Sequence, residues 1–156
     1  MKFIYNRNKT AVIFGEKEYS YKEIIRGIKY YSTLLKEAGK VVVTMENRPE
    51  MICSIFSIWN SEQTAVVLDS GYTGEQFAYA FSDSEPRYIF TSKKVVGRVR
   101  EGVELSKKNI EIIVVDDISI PEEFTPDNYE VVIEDLERVA LLLYTSGTTG
   151  NPKGVM

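Results

Sequence analysis

The chain has 156 residues, of which 44% are hydrophobic and 27% are charged, and its formal net charge at pH 7 is −4. This length and composition fit one globular domain with a substantial core. The absence of a basic excess argues against nucleic acid or an anionic membrane as a partner. The absence of histidine excludes histidine-based catalytic triads and most zinc sites.

The N-terminal segment and the cysteine content bear on where the protein works. The segment M-K-F-I-Y-N-R-N-K becomes charged before the apolar region of a signal peptide could form. No apolar run approaches the length needed to cross a bilayer. The single cysteine, Cys53, cannot form an internal disulfide and lies in an apolar, helical run, so we interpret it as a core residue. These features predict a cytoplasmic protein without a membrane span.

The chain begins with a hairpin and a capped helix. Residues 11–14 and 18–21 flank a Gly-Glu-Lys turn, a pattern typical of two short antiparallel strands. Ser20 and Glu23 have the spacing of a capping box, and we expect the following helix to end near Gly39. The apolar residues at helical spacing in this stretch are Ile24, Ile28, Tyr31, Leu35 and Ala38.

Strands and helices then alternate to the end of the chain. The five predicted strands are residues 41–45, 64–68, 88–91, 110–115 and 139–144. Asn47, Pro49 and Glu50 predict the start of the second helix, and Thr73 with Gln76 forms a capping box for the third.

The second and fourth helices need separate comment. The apolar stripe of the second helix is typical of core packing rather than of a cofactor site, and its members are Met51, Ile52, Ile55, Phe56 and Trp59. Ser92 is positioned to cap a fourth helix that ends near Ser106. Gly97 and Gly102 weaken that prediction, because each costs up to about 1 kcal/mol in a helix interior.

The order of these elements predicts the fold class. Alternating strands and helices imply parallel pairing with right-handed crossovers. The strands are rich in Val, Ile and Leu, as expected when both faces of a sheet are covered. We therefore predict an α/β fold with a doubly wound, mostly parallel sheet of about five strands, helices on both faces and a small N-terminal hairpin.

One segment differs from the rest in charge. Residues 116–137 contain nine acidic residues and no Lys or Arg, so this segment carries −9 and the remainder −4 − (−9) = +5. Pro121 and Pro126 prevent a regular helix across its middle. We interpret the segment as a solvated connection, with a short edge strand at residues 129–133. A cation site or partner site is the alternative, because clustered carboxylates can bind hard cations.

The apolar run at residues 139–144 leads into a loop of hydroxyl and glycine residues. The residues that give this loop its character are Thr145, Ser146, Gly147, Thr148, Thr149, Gly150, Lys153 and Gly154. Glycine lets a backbone approach a ligand closely, and successive N–H groups in such a turn can surround an anion. The hydroxyls add donors, and Lys153 adds a positive charge that suits phosphate oxygens. The pattern predicts a polyphosphate-binding loop at the carboxyl end of a buried strand.

Other sources of such a sequence are less favoured. The loop lacks the Walker spacing G-x-x-x-x-G-K-[ST] and the dinucleotide fingerprint G-x-G-x-x-G. A flexible linker would also be rich in Ser, Thr and Gly. Linkers, however, seldom follow a buried strand directly and seldom end in Pro-Lys-Gly.

The string Tyr144-Thr-Ser-Gly-Thr-Thr-Gly-Asn-Pro-Lys-Gly154 resembles the phosphate-loop signature of the adenylate-forming (AMP-dependent synthetase and ligase) superfamily. That superfamily includes acyl-CoA synthetases, adenylation domains of peptide synthetases and luciferases. Residues 10–23 resemble its opening hairpin and helix start, and residues 46–50 resemble its E-N-x-P-E turn. Residues 66–72 resemble its V-P-L-D-P-x-Y segment, with Val67 where proline is common and Ser-Gly after the aspartate.

The resemblance implies ATP-dependent activation of a carboxylic acid in two steps. The acid first forms an acyl-adenylate with release of pyrophosphate, and a thiol of CoA or of the phosphopantetheine arm of an acyl-carrier protein then takes the acyl group. The loop hydroxyls and amides would hold the β- and γ-phosphates, Lys153 and Mg2+ would neutralise charge, and Pro152 would stiffen the loop exit.

The resemblance also implies that residues 1–156 are a truncated N-terminal part of the adenylation (AMP-binding) domain, without the mobile C-terminal domain. The family's adenine and ribose contacts, acyl pocket and catalytic lysine lie further along, so no catalytic residue and no protein metal ligand is assigned here. This part alone is expected to be inactive. A non-catalytic nucleotide-binding or assembly module is the alternative, and an unrelated phosphate-binding enzyme is a third.

Truncation leads to two further expectations. With nothing beyond residue 156 to anchor it, the phosphate loop is expected to be mobile or held only by a neighbouring molecule. An uncovered sheet edge and apolar face are expected to promote self-association of the chain.

Overall fold

The computed structural model describes residues 2–3, 8–128, 130–132, 139–145 and 153–155. The strands are β1 (Lys2–Phe3), β2 (Thr10–Phe14), β3 (Lys17–Ser20), β4 (Lys40–Thr44), β5 (Thr64–Val67), β6 (Pro86–Thr91), β7 (Glu111–Val114), β8 (Val131–Val132), β9 (Leu141–Thr145) and β10 (Lys153–Val155). The helices are α1 (Tyr21–Ser32), α2 (Pro49–Asn60), α3 (Gly74–Ser84) and α4 (Val96–Ser106), and a 3-10 turn spans Val115–Asp117.

The main sheet has six strands in the order β10-β9-β5-β4-β6-β7. The five strands β9, β5, β4, β6 and β7 are parallel, and β10 pairs antiparallel with β9 at one edge. Strands β2 and β3 form the separate N-terminal hairpin. The predicted doubly wound sheet is confirmed, and the antiparallel sixth strand is an addition to it.

Each face of the sheet is covered by one pair of helices. Val41 and Val43 of β4 contribute to the core beneath α1 and α2, whereas Val42 contributes to the core beneath α3 and α4. All three side chains are fully buried. Alternate residues of one strand therefore enter two different cores, which explains why the strand is valine on both faces.

The layer formed by α1 and α2 contains small polar residues that face inward. Ser54 and Ser57 are fully buried in α2, together with Ile58. The Ser54 hydroxyl donates to the Glu50 carbonyl at 2.8 Å, and the Ser57 hydroxyl donates to the Ser54 carbonyl at 2.7 Å. The predicted packing role of the α2 stripe is confirmed for Met51, Ile52, Ile55 and Phe56, which lie partly buried against this core. The most deeply buried face of the helix carries serine hydroxyls that bond within the helix, which was not predicted. The prediction for Cys53 is confirmed, since it is buried as a free thiol.

The layer formed by α3 and α4 is aromatic. The rings of Phe77 and Phe81 stack with centroids 5.6 Å apart, and both side chains are fully buried. Gly102 of α4 lies against this pair, and a Cβ added there would stand 2.5 Å from the Phe77 Cβ. Gly102 therefore allows the two helices to approach closely, which is the reason for a glycine inside α4.

Two helix boundaries differ from the sequence prediction. Helix α1 ends at Ser32 rather than near Gly39, and the Thr33 hydroxyl caps it by donating to the Tyr30 carbonyl at 2.6 Å. Leu35 is buried from the loop that follows. Helix α4 begins at Val96, and the Ser92 hydroxyl donates to the Glu46 carboxylate instead of capping the helix.

The acidic segment packs against α1 through its backbone. The Arg26 guanidinium donates to the carbonyls of Pro121 and Phe124, and the Phe124 ring meets Tyr30 edge to face at 5.1 Å. The predicted edge strand is confirmed at Val131–Val132, which pairs with Lys2–Phe3 in a ribbon apart from the main sheet. Among the described residues, no group of three or more Asp, Glu, Cys or His side chains is placed to hold a metal ion.

None of the helices in the described part of the chain combines the length and the apolar character that a bilayer crossing requires.

Candidate functional site

The carboxyl ends of the five parallel strands meet at one edge of the sheet, where open α/β sheets bind ligands. Strand β9 reaches this edge at Thr145 and β10 leaves it at Lys153. Lys153 is the register partner of Thr145, Gly154 of Tyr144 and Val155 of Leu143. The predicted phosphate loop is therefore a hairpin connection whose two ends are paired at the ligand-binding edge.

The pairing of β10 with β9 corrects the expectation that nothing within the chain anchors the phosphate loop. The far end of the loop is anchored within the chain, because Lys153–Val155 forms a strand on β9. Of the predicted phosphate contacts, the structure places the backbones of Thr145 and Lys153 on the same rung of the hairpin. Five others, Ser146, Gly147, Thr148, Thr149 and Gly150, lie outside the described residues, as does most of the loop whose mobility was predicted.

Side chains from three other elements fasten β9 in place. At its start, the Trp59 indole N–H of α2 donates to the Ala140 carbonyl at 2.7 Å, and the Thr64 hydroxyl of β5 donates to the Val139 carbonyl at 2.8 Å. At its end, the Tyr144 hydroxyl donates to the Asp83 carboxylate of α3 at 2.5 Å. The strand that carries the loop is thus tied to both helical layers.

A cleft of about 430 Å3 opens beside the loop, over the ends of β4, β5 and β9. Its apolar lining comes from Met45, Met51, Val67, Leu68 and Leu143, and its polar lining includes Glu46, Asn47, Asp69 and Ser70. Two carboxylates and no Lys or Arg belong to the described lining.

The loops around this edge are held by a network of charged side chains. The Glu46 carboxylate accepts from the Ser92 hydroxyl at 2.7 Å, which lowers the pKa of that carboxyl, and Lys94 lies 3.6 Å away. The Arg48 guanidinium pairs with Glu50 and with Asp116, each at 2.8 Å. The turns after β4, β6 and β7 are therefore fixed relative to one another.

The turn after β5 has its own supports. The Gly71 N–H donates to the Asp69 carboxylate at 2.8 Å, and the Arg98 guanidinium donates to the Ser70 carbonyl at 2.6 Å. The turn belongs to residues 66–72, which resemble the family's V-P-L-D-P-x-Y segment, and in the structure Asp69 stabilises the turn locally.

Comparison with known proteins identifies the family of this chain. A family model described as "AMP-binding enzyme" matches residues 5–156. The chain belongs to this family. Its resemblance to the adenylate-forming superfamily is thereby confirmed.

Individual relatives of this AMP-binding family member are distant and longer. The chain is 30% identical over 155 residues to bacitracin synthase 1 of Bacillus licheniformis, a match that covers 94% of this chain and 3% of that protein. Its fold is similar to that of the anthranilate CoA ligase AuaEII in complex with anthranoyl-AMP, with a TM-score of 0.80, 22% identity, and coverage of 96% of this chain and 30% of the other. ATP-bound MatB from Rhodopseudomonas palustris gives a TM-score of 0.75, 20% identity, and coverage of 99% and 32%. The chain therefore spans less than a third of the length of each of these proteins.

Some residues that support β9 at this edge of the sheet were not recognised in the sequence. Asp83 lies near the end of a surface helix, and its link to Tyr144 spans 61 positions in the chain. Trp59 was assigned to core packing, yet its N–H holds β9. A partly buried Trp or Tyr usually needs a polar partner, and this rule predicts that Trp59 and Tyr144 form hydrogen bonds. It does not predict which groups they bond to.

Proposed function

We propose that the complete protein containing this chain is an ATP-dependent, carboxylate-activating ligase, and that residues 1–156 are the N-terminal portion of its adenylation domain. The observation that carries this proposal is the AMP-binding family match across residues 5–156. The hairpin at the carboxyl edge of the sheet supports it, because the register pairs the backbone of Lys153 with that of Thr145 there.

The proposed reaction has two steps. A carboxylate oxygen of the substrate attacks the α-phosphorus of ATP, the bond from the α-phosphorus to the bridging oxygen of the β-phosphate breaks, and pyrophosphate leaves. A thiol of CoA or of a carrier-protein phosphopantetheine arm then attacks the acyl carbon. The acyl C–O bond breaks, AMP leaves, and the thiol proton passes to a base or to solvent.

The chain's own contribution would be to position the triphosphate and to neutralise its charge. Thr145, Ser146, Thr148 and Thr149 would donate hydroxyls, the backbone at Gly147 and Gly150 would approach the phosphates closely, and Lys153 would supply a positive charge. The donor set of this loop suits anions rather than cations. Mg2+, when bound with ATP, would share the phosphate charge and would be held mainly by phosphate oxygens.

The test is ATP–pyrophosphate exchange by the complete protein with a panel of carboxylic acids. Lys153→Ala should lower the exchange rate by roughly 10- to 100-fold, as expected for loss of a hydrogen bond between charged groups. Lys36→Ala is a matched control, because this exposed lysine lies in the loop before β4, at the amino ends of the parallel strands. Equal activity of the Lys153 and Lys36 variants would contradict the assignment.

The same assay addresses the chain by itself. We expect residues 1–156 alone to show no exchange, because one phosphate loop cannot orient both the nucleotide and the acid. Acid-dependent exchange by this part alone would refute that expectation. If the complete protein shows no exchange with any acid but binds ATP, a non-catalytic nucleotide-binding module is the better description.

Two finer assignments accompany the proposal. The free, buried thiol of Cys53 is compatible with a cytoplasmic location. Val139, two residues before β9, and Leu143, within it, are 39% and 47% exposed, which supports self-association of residues 1–156 in isolation. Light scattering that shows a monomer at high concentration would exclude this association.

A further inference from the structure

The hydroxyl of Tyr144 is bonded to a carboxylate that belongs to a different layer of the fold. Tyr144 is the residue before Thr145 at the end of β9, and Asp83 is the last residue but one of α3. The distance from the Tyr144 hydroxyl to Asp83 Oδ2 is 2.5 Å. Hydrogen bonds to an ionised acceptor are short and about twice as strong as neutral ones.

Helix α3 is a rigid support for this bond. Phe77 and Phe81 anchor it in the core, and the Ser84 hydroxyl donates to the Ala80 carbonyl at 2.6 Å. Asp83 does not stabilise the helix itself, because a negative charge near the C-terminus of a helix interacts unfavourably with the helix dipole. Its interaction with Tyr144 gives this exposed aspartate a role that the helix itself does not.

The position of Tyr144 determines what the bond controls. Tyr144 is the register partner of Gly154, and the next rung pairs Thr145 with Lys153. The Tyr144 side chain therefore lies one residue from the rung at which both ends of the loop leave the hairpin. Burial and the neighbouring Asp83 raise the pKa of the Tyr144 hydroxyl, so it remains a proton donor at neutral pH.

We propose that Asp83 is a positioning residue for the phosphate-binding loop and that it acts through the hydroxyl of Tyr144. The catalytic consequence rests on the proposed function, whereas the structural link does not. Asp83 touches neither nucleotide nor acid in this scheme. It holds the end of β9, next to the rung that pairs the backbones of Thr145 and Lys153.

The first test measures kcat and KM for ATP in ATP–pyrophosphate exchange by the complete protein. Asp83→Ala and Tyr144→Phe should each raise KM for ATP by roughly three- to tenfold, because each removes the same charge-assisted bond. The double variant should be no worse than either single variant. Asp83→Asn should raise KM less than Asp83→Ala does, because its amide oxygen still accepts a hydrogen bond, although one without the assistance of the charge. Glu75→Gln is the control, since Glu75 is an exposed carboxylate at the other end of the same helix.

The second test does not depend on activity. Amide hydrogen exchange should quicken by the same factor in Leu141–Thr145 and Lys153–Val155 for Asp83→Ala and Tyr144→Phe, while Lys40–Thr44 stays unchanged. Additive effects of the two substitutions, or unchanged exchange in these segments, would overturn the link. Faster amide exchange with an unchanged KM would overturn the positioning role. If the wild type has no ATP–pyrophosphate exchange, the proposed function fails and amide exchange alone decides whether the link exists.

Discussion

The two helical layers bring their helices together with a glycine in each case, but the glycines meet different atoms. In the α1–α2 layer, a Cβ added at Gly27 would stand 2.8 Å from the Cys53 Sγ, the end of a side chain. In the α3–α4 layer, a Cβ added at Gly102 would stand 2.5 Å from the Phe77 Cβ and 3.1 Å from the Gly74 carbonyl oxygen.

The difference predicts how each layer tolerates change. A thiol can rotate away, whereas a Cβ and a carbonyl oxygen move only if the helix moves. The aromatic layer should therefore tolerate added side-chain volume less well than the other layer, although both layers contain fully buried side chains.

The largest expected effect is in the aromatic layer. Gly102→Ala should lower the free energy of unfolding by about 3 kcal/mol, at the upper end of overpacking effects, because Phe77 cannot retreat. Gly97→Ala in the same helix is the control. Among the described residues, a Cβ at Gly97 would have no neighbour within 4 Å, so this change should raise stability by about 0.5–1 kcal/mol. Urea denaturation measures both, and equal effects at the two glycines would remove the argument.

A smaller effect is expected in the other layer. Gly27→Ala should lower the free energy of unfolding by about 1.5 kcal/mol, towards the lower end of overpacking effects, because the Cys53 thiol can turn aside. In a Cys53→Ala background the same substitution should cost less, since the atom it meets is gone. A double-mutant cycle in urea should give a favourable coupling. Strict additivity would show that Gly27 has another function in the layer.

The smallest effect concerns the first helix of each layer, since both begin with a capping box. Ser20→Ala and Thr73→Ala should each cost about 1 kcal/mol. The boxes differ in their third residue, which is Glu23 in α1 and Gln76 in α3.

The Ser20 backbone N–H, and to a smaller extent the Ser20 hydroxyl, lower the pKa of Glu23 below its ordinary value of 4.5. The stability that this capping box contributes is therefore present above pH 4.5 and is lost as the pH falls through the pKa of Glu23 in the folded protein. The cost of Ser20→Ala should therefore shrink in acid, whereas the cost of Thr73→Ala should not. Parallel pH dependences of the two costs, measured by urea denaturation, would contradict this.

Local signals in the sequence were sufficient for much of the fold. The strand before the loop is confirmed as β9, but its predicted burial is wrong, because Leu141 and Leu142 are half-buried and Leu143 is 47% exposed. The capping boxes at Ser20 and Thr73 and the β-branched strands all depend on neighbouring residues, and the structure confirms them. These features follow from backbone chemistry that acts over a few residues, so no tertiary information was needed.

What the sequence did not show depends on distant contacts. Strand β10 consists of Lys-Gly-Val, which has no strand pattern, and it exists because β9 provides an edge. Ser54 and Ser57 were not recognised as core residues, because a serine that bonds to its own helix can be buried at little cost. The roles of Asp83 and Trp59 depend on partners many residues away.

The rung between Thr145 and Lys153 has a consequence for ligand affinity. Closing a chain segment into a loop carries an entropy cost, and here the pairing of β10 with β9 meets that cost when the protein folds rather than when a nucleotide arrives. Because the entropy lost on binding subtracts directly from affinity, a hairpin that is already closed binds more tightly than an open tail with the same contacts.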